Sequence, residues 1–305
     1  MIRQLRCNRV VAGLFLLLWC VPTAGYAWGV AGHRYANALA VDSLPEALRP
    51  FYQANRAWIV HHSVDPDQWR NANRSEAPHH FIDLDYFGLE EALRFPQDYW
   101  VAVGLYGRET LEKVGLVPWR IGQFYGKLVR AFRERNARAI VEISTFLGHY
   151  VADIHVPFHA VTNYDGQLTG QKGIHARFES VLVERQIRLE DLRPQRATRI
   201  ADPVAAAFAW ARRSMKRSAD VLRADLQAVA RDRSYGDTYY QTLGQQVRRL
   251  AIRCLEESGR DLASLWMSAW IDAGRPPLPP PASVHEGEPL DRPTRDPDLP
   301  PPSAD

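Results

Sequence analysis

The chain of 305 residues has only three cysteines, a single short apolar run and few alternating segments rich in Val, Ile and Thr. Two cysteines, Cys7 and Cys20, lie in the first 27 residues, which leaves Cys254 alone in the remainder. Without residues 1–27 no intramolecular disulfide is possible, and the remaining chain would depend on its core or on metal for stability. The scarcity of strand patterns argues against a β-rich fold.

The amino terminus contains no acidic residue. Three arginines precede an apolar run from Val10 to Val21, and small residues follow at Ala24 and Ala27. This layout predicts a secretory signal peptide over residues 1–27, cleaved after Ala27 so that Trp28 becomes the new amino terminus. The apolar run is short for a bilayer span. We therefore expect a secreted or periplasmic protein.

Net charge is also nearly absent. Three of the 38 Lys and Arg residues precede Trp28, and none of the 35 Asp and Glu residues does, so the rest of the chain is balanced. This balance excludes strong binding to nucleic acid or to anionic membranes through bulk charge alone. It leaves a local basic groove open.

Helical patterns dominate the remainder, and we predict an all-α fold with a single helical domain over residues 28–275. A short helix is predicted to start at Ser43, with Pro45 in its first turn. Segment 84–118 contains several glycines and is predicted to be irregular, and residues 276–305 form a proline-rich tail predicted to be disordered. The other predicted helices span 31–42, 123–135, 137–155, 174–188, 203–231 and 237–273.

Histidines and carboxylates recur together, and seven of the ten histidines fall in four short clusters. His149 and Asp153 are four residues apart, so on a helix they share one face, and His159 follows Pro157. His175 and Glu179 repeat the same helical spacing.

The other two clusters lie closer to the amino terminus. Asp67 and Arg70 precede His80, and His33 follows Trp28 by five residues. Imidazole and carboxylate groups suit zinc. Their number predicts a site for several metal ions, a common arrangement in phosphoester hydrolysis.

These motifs, which run from Trp28 to Glu179, resemble the superfamily of bacterial zinc phospholipases C and fungal and plant single-strand-specific zinc nucleases. The resemblance implies an all-helical fold, three zinc ions and a mature amino-terminal Trp that is itself a ligand. The implied ligands are Asp67, His80, His149 and Asp153 for one ion, His159, His175 and Glu179 for a second, and Trp28 and His33 with bridging Asp153 for the third. Asp65 is the alternative to Asp67, because in an extended segment both would face the same side.

The resemblance implies a zinc-dependent phosphodiester hydrolase in which metal-activated water attacks phosphorus. Asp67, Arg70 and Asp153 are the candidate catalytic residues, and Arg70, Phe81 and Asp83 are the candidate substrate-binding residues. Glu179 is typical of the phospholipases, whereas Arg70 and the His80-Phe-Ile-Asp83 segment are typical of the nucleases.

We expect phospholipase C activity first, with peripheral membrane contact through an apolar rim drawn from Phe87, Tyr99, Trp100 and Tyr106. A single-strand-specific nuclease or 3′-nucleotidase is the alternative, with single-stranded nucleic acid as its substrate. A non-catalytic zinc-binding protein is the third hypothesis. No stable protein partner is inferred.

Overall fold

A computed structural model describes residues 28–280, 282–292 and 294–298, so the predicted signal peptide lies outside the described residues. Helices make up the fold, and no β-strand occurs among the described residues. The α-helices are α1 (Gly29–Ser43), α2 (Arg49–Ala54), α3 (Arg56–His62), α4 (Asp65–Ala72), α5 (Leu89–Arg94), α6 (Tyr99–Tyr106), α7 (Arg108–Val114), α8 (Val117–Glu134), α9 (Ala137–Ile154), α10 (Ile174–Ala176), α11 (Val183–Gln186), α12 (Pro203–Arg231) and α13 (Asp237–Asp272). The all-α prediction is confirmed.

Short 3₁₀ turns and one π-helical segment connect these helices. The 3₁₀ turns span Arg74–His80, Leu84–Phe87, Pro157–Ala160 and Leu189–Asp191, and the π-helical segment Arg177–Leu182 joins α10 to α11. None of the helices in this part of the chain combines the length and the apolar character that a bilayer crossing needs.

Most predicted helices agree with the structure to within two residues at each end, but two predicted starts were wrong. The helix predicted from residue 123 begins at Val117. Pro118 is tolerated in the first turn of a helix, because an N–H group at that position would have no acceptor within the helix. The short helix predicted from Ser43 begins at Arg49 instead. The carbonyl of Pro45 accepts hydrogen bonds from the N–H groups of Leu48 and Arg49, which forms a turn before that helix.

The segment predicted to be irregular, 84–118, is mainly helical. Gly88 precedes α5, Gly107 lies between α6 and α7, and Gly115 follows α7, so these glycines bound helices instead of preventing their formation. Gly107 and Gly115 have φ of +78° and +106°, which is backbone that residues with a Cβ rarely adopt. A Cβ at Gly115 would lie 2.2 Å from the carbonyl oxygen of Phe81, so the glycine also permits close packing beside the predicted site.

The core forms where the long helices cross. α13 packs along α1 and α12, and α8 pairs with α9. At its centre the rings of Tyr52 and Trp266 stack with centroids 4.6 Å apart, and both side chains hydrogen-bond to Ser144 on α9. α9 is therefore anchored in the core at Ser144, and this helix also carries His149 and Asp153.

The disorder predicted for the proline-rich tail stays a prediction. Its described residues have no helix, and several of them contact the helical body. His285 is 5% exposed and stacks on Trp58 with ring centroids 4.0 Å apart. Thr294 bonds to Asp65 through both its N–H and its hydroxyl. The tail has few of the apolar residues that form an ordinary core, so its contacts with the body are made by polar and aromatic side chains.

Candidate metal centre

The side chains predicted as ligands come from separate segments and converge on one buried region. α1 supplies His33, α4 supplies Asp67, and the following 3₁₀ turn ends at His80. α9 supplies His149 and Asp153, while the turn after it supplies His159. All of these residues are at most 5% exposed. Such burial of titratable groups is costly unless they are paired or bind metal.

Asp153 lies at the centre of the site and faces four imidazoles. Its Oδ2 is 2.9 Å from His80 Nδ1 and 3.3 Å from His149 Nε2. Its Oδ1 is 3.5 Å from His33 Nε2 and 3.8 Å from His159 Nδ1. Because each carboxylate oxygen points to a different pair of rings, Asp153 is placed to join neighbouring metal positions.

Asp67 enters the site, and Asp65 does not. The segment is the helix α4, not an extended strand, so residues two apart point in different directions. Asp67 has oxygens 3.9 Å from the nearest ring nitrogens of His33, His80 and His149. Asp65 instead binds His62 Nδ1 at 2.8 Å and receives two hydrogen bonds from Thr294. The helical conformation of this segment therefore determines which of the two aspartates faces the site, which their spacing alone left open.

A second group of donors lies on the other side of Asp153. Glu179 Oε2 is 2.8 Å from His175 Nε2 and 3.8 Å from His159 Nε2. Glu179 belongs to the π-helical segment that follows α10, and such widened turns are frequent at functional sites. His175 retains 19% side-chain exposure, so this group is open to solvent at one side.

Trp28 joins this second group through its backbone nitrogen, which donates to Glu179 Oε2 at 3.1 Å. The indole is fully buried, and its Nε1 donates to the carbonyl of Ala152 at 2.7 Å. The resemblance placed Trp28 with His33, whereas in the structure its nitrogen contacts Glu179. The indole acts as an anchor that holds the start of α1 beside the ligands.

The donor set fits metal ions. Three groups have potential ligand atoms that lie within 4.8 Å of one another: His33, Asp67 and His149; His80, His149 and Asp153; and His159, His175 and Glu179. Within the described residues, Asp67 Oδ2, Asp153 Oδ1 and Glu179 Oε1 are buried and accept no hydrogen bond. An unsatisfied buried acceptor of this kind costs about 1–3 kcal/mol, and more when charged. Divalent cations would satisfy all three oxygens at once.

The pKa values of these groups reflect their burial and the charges of their neighbours. Burial would lower the pKa of His149, but the charges of Asp153 and Asp67 outweigh it and raise this pKa to about 9. Burial raises the pKa of Glu179 to about 8 and that of Asp67 above its ordinary value. Burial lowers the pKa of His80, His159 and His175, so these rings favour the neutral form that binds metal, while the two carboxyl groups and His149 favour added positive charge.

The ligand rings are held from behind by acceptors outside the donor set. His149 Nδ1 lies 2.9 Å from the carbonyl of Ser63, and His159 Nδ1 lies 2.6 Å from the carbonyl of His80. Such contacts set which ring nitrogen faces a metal. The sequence analysis missed Glu76, a buried carboxylate behind His80, although its spacing four residues before His80 was an available signal.

The candidate substrate-binding residues lie at the edge of the centre. Arg70 Nη2 is 3.3 Å from Asp67 Oδ1, and the Arg70 side chain is 24% exposed. Phe81 and Asp83 are half-buried, and between them the N–H of Ile82 donates to the carbonyl of His159 at 2.8 Å. Burial, followed by the nearby Asp85, raises the pKa of Asp83 to about 8.

Comparison with known proteins agrees with this geometry. The family model for zinc-dependent phospholipase C matches residues 32–231, which is well over half of the chain. The matched region contains every candidate ligand except Trp28. A search of curated proteins found no match. The extent of the family match shows that this chain belongs to the zinc-dependent phospholipase C family.

Proposed function

We propose that the protein is a zinc-dependent phospholipase C, which hydrolyses phospholipids to diacylglycerol and a phosphorylated head group. Metal-dependent phosphodiesterase activity is supported by one observation, the convergence of three buried carboxylates and five histidines beside Arg70. Zinc held by these residues would lower the pKa of bound water towards about 7 and neutralise charge on the phosphate. We propose three ions, one for each group of donors.

The side chains around these ions have separate roles in the proposal. Arg70 is a partly exposed cation at the edge of the site, and we assign it to a nonbridging phosphate oxygen, where a charge-assisted hydrogen bond is strong. Its contact with Asp67 fixes the guanidinium before substrate arrives. Asp67 has an oxygen free of hydrogen bonds and is the candidate to orient the attacking water. Asp153 lies between the donor groups and is placed to join neighbouring metal positions.

Lipid is favoured over nucleic acid because α5 and α6 expose several apolar side chains, which we together call the α5–α6 surface. It consists of Leu89 and Leu93 on α5 and Trp100, Val101 and Leu105 on α6, each more than half exposed. No residue of α6 is charged. Of the four aromatic residues expected in the rim, only Trp100 is largely exposed, while the rings of Phe87 and Tyr106 stack on each other. Exposed patches of this kind mark interaction sites, and a Trp with aliphatic neighbours suits a membrane interface.

The α5–α6 surface is linked to the centre through the chain. It begins nine residues after His80, and the loop between His159 and His175 contacts the 3₁₀ turn before α5, where the N–H of Thr162 donates to Asp85 Oδ1 at 2.7 Å. That loop exposes two further apolar side chains, Tyr164 and Leu168. Peripheral contact with a bilayer at these segments would bring lipid head groups to the side of the molecule that carries the ligands.

A single-strand-specific nuclease is the second candidate. The observation that favours it is Asp83, whose Oδ1 is buried without a hydrogen-bond partner in the described residues, next to half-buried Phe81. A nucleobase that stacks on the Phe and bonds to the carboxyl would explain both features. The alternative of a non-catalytic zinc-binding protein predicts bound metal without turnover.

We also propose that the chain is exported to the periplasm or beyond it and cleaved after Ala27. Export supports the proposed chemistry, because only cleavage turns the buried nitrogen of Trp28 from an amide into an amine that can bind metal. Mass spectrometry of the exported protein tests this directly. A mature chain that starts at any other residue would contradict the proposed cleavage.

The deciding experiment compares two substrates with one enzyme preparation. Protein that starts at Trp28 and is loaded with zinc is assayed on phosphatidylcholine in mixed micelles and on single-stranded DNA, with the His149→Ala variant as control. We expect phosphocholine release that the variant lacks. Cleavage of DNA alone would replace this proposal with the nuclease, and zinc binding without either activity would favour the non-catalytic protein.

A further inference from the structure

Behind His80 lies a buried network that the candidate ligands do not include. Its centre is Glu76, which is 1% exposed. Glu76 Oε2 accepts hydrogen bonds from Arg120 Nη2 and His79 Nδ1, both at 2.9 Å, and Oε1 accepts one from the hydroxyl of Tyr150. This network keeps Glu76 fixed and charged inside the protein.

The ring of His80 lies between this network and the metal centre. Its Nδ1 faces Asp153 Oδ2 at 2.9 Å and His149 Nε2 at 3.0 Å. Its Nε2 points the other way, 3.6 Å from Glu76 Oε1, and has no hydrogen-bond partner in the described residues. A shift of about half an ångström would bring this pair to hydrogen-bond distance. The nitrogen that faces the centre would then be the one free to bind an ion.

The carboxyl-terminal segment completes the network from outside. Arg120 is 3% exposed and contacts Glu76 on one side. On the other side its Nη1 donates to Asp298 Oδ2 at 2.5 Å, and its Nη2 lies 3.8 Å from Asp296 Oδ1. Lys127 also pairs with Asp298. Two tail carboxylates therefore hold the guanidinium that holds Glu76.

We propose that Glu76 is a positioning residue for His80, and that the carboxyl-terminal segment supports it by fixing Arg120 through Asp298. The inference rests on the proposed function in one respect, namely that His80 binds zinc. Glu76 would accept the Nε2 hydrogen of His80 and so orient the ring with Nδ1 towards the ion. His149 and His159 are oriented by backbone carbonyls, whereas His80 is oriented by a charged group whose position depends on residues far along the chain.

The test measures metal binding instead of turnover. Zinc affinity is determined by competition with a chromogenic chelator, and the absorption bands of the Co²⁺-substituted protein report ligand geometry. For Glu76→Gln we expect a 10- to 100-fold loss of zinc affinity and shifted cobalt bands, the usual cost of losing a contact behind a ligand. Tyr150→Phe is the comparison, because it removes a hydrogen bond to the same carboxylate but leaves its charge, so it should lower zinc affinity less than Glu76→Gln does. Unchanged affinity and cobalt bands in Glu76→Gln would overturn the proposal.

The tail provides a second test that does not disturb the interior. Asp298→Asn should weaken zinc binding several-fold, whereas Glu288→Gln, which removes a tail contact with Arg138, should leave it unchanged. Equal effects of the two variants would overturn the role of the tail, and would do so even if Glu76→Gln failed to fold. Because no phosphodiester is present, inactivity on lipid and DNA would reject the proposed function without affecting these measurements.

Discussion

The imidazole rings of His33 and His149 stack face to face, with centroids 4.0 Å apart and planes 8° apart. One ring belongs to α1 and the other to α9, so their contact requires the two helices to approach closely. Gly148 permits that approach: a Cβ at this position would lie 2.3 Å from Asn37 Oδ1. Asn37 in turn donates from Nδ2 to the carbonyl of His33 at 3.1 Å.

Gly148→Ala should therefore separate α1 from α9 and weaken zinc binding. The added methyl group has no space, and overpacking of this kind costs about 1–3 kcal/mol. Thermal denaturation with and without zinc measures both effects. The matched control is Gly126→Ala on α8, where no atom lies within 4 Å of the added Cβ. This control should be neutral or more stable by about 0.5–1 kcal/mol. Wild-type zinc affinity in Gly148→Ala would contradict the prediction.

A single residue left in front of Trp28 should reduce metal content. The nitrogen of Trp28 lies 3.1 Å from Glu179 Oε2 in a fully buried position, so an extension changes both its charge and the space around it. Two preparations from one fusion protein, cleaved to start at Trp28 or one residue earlier, differ in nothing else. Elemental analysis should find less zinc in the extended form, and activity should fall in parallel. Equal zinc content in both would show that the amine is not a ligand.

Asp83 should make stability depend on pH in a direction opposite to that of a salt-bridged carboxylate. Its pKa is raised from 3.8 to about 8 by burial and by Asp85, so between these values the folded state binds a proton that the unfolded state lacks. Stability from this group is therefore present below about pH 4 and is lost as pH rises to 8.

Asp83→Asn should remove that dependence. At pH 8 we expect the free energy of unfolding of the variant to exceed that of the wild type by on the order of 1–4 kcal/mol. Near pH 4 the two proteins should have the same stability. Urea titrations at several pH values measure the difference. A difference that stays constant with pH would show that Asp83 is ionised in the folded protein.

The α5–α6 surface should matter only for substrate in an interface. Replacing Trp100 and Leu105 with Ser should lower hydrolysis of phosphatidylcholine vesicles at least several-fold and leave hydrolysis of a soluble short-chain phosphatidylcholine unchanged. The control is Leu226→Ser on α12, which is 58% exposed but lies outside these segments. Co-sedimentation with vesicles separates binding from catalysis. Equal losses on both substrates would mean that the substitutions disturb the site and not membrane contact.

Helical spacing was a sound guide wherever a helix is long and bounded by a cap. α9 begins after Asn136, whose side chain accepts a hydrogen bond from Ala139 N, and α12 begins after Asp202, which caps two N–H groups in the same way. Both starts were predicted. The short helices α5 to α7 were missed because glycines that end helices give the same local signal as glycines in loops.

The sequence by itself determined the all-helical fold and the residue types of the candidate metal centre, because the i,i+4 spacing of His149 with Asp153 and of His175 with Glu179 is local geometry. Only the tertiary structure decided that Asp67 and not Asp65 faces the centre, that Trp28 contacts Glu179, and that the tail reaches Arg120 and through it Glu76. These are contacts between residues far apart in the chain. They depend on how α1, α4, α8 and α9 pack, and no spacing within one segment encodes them.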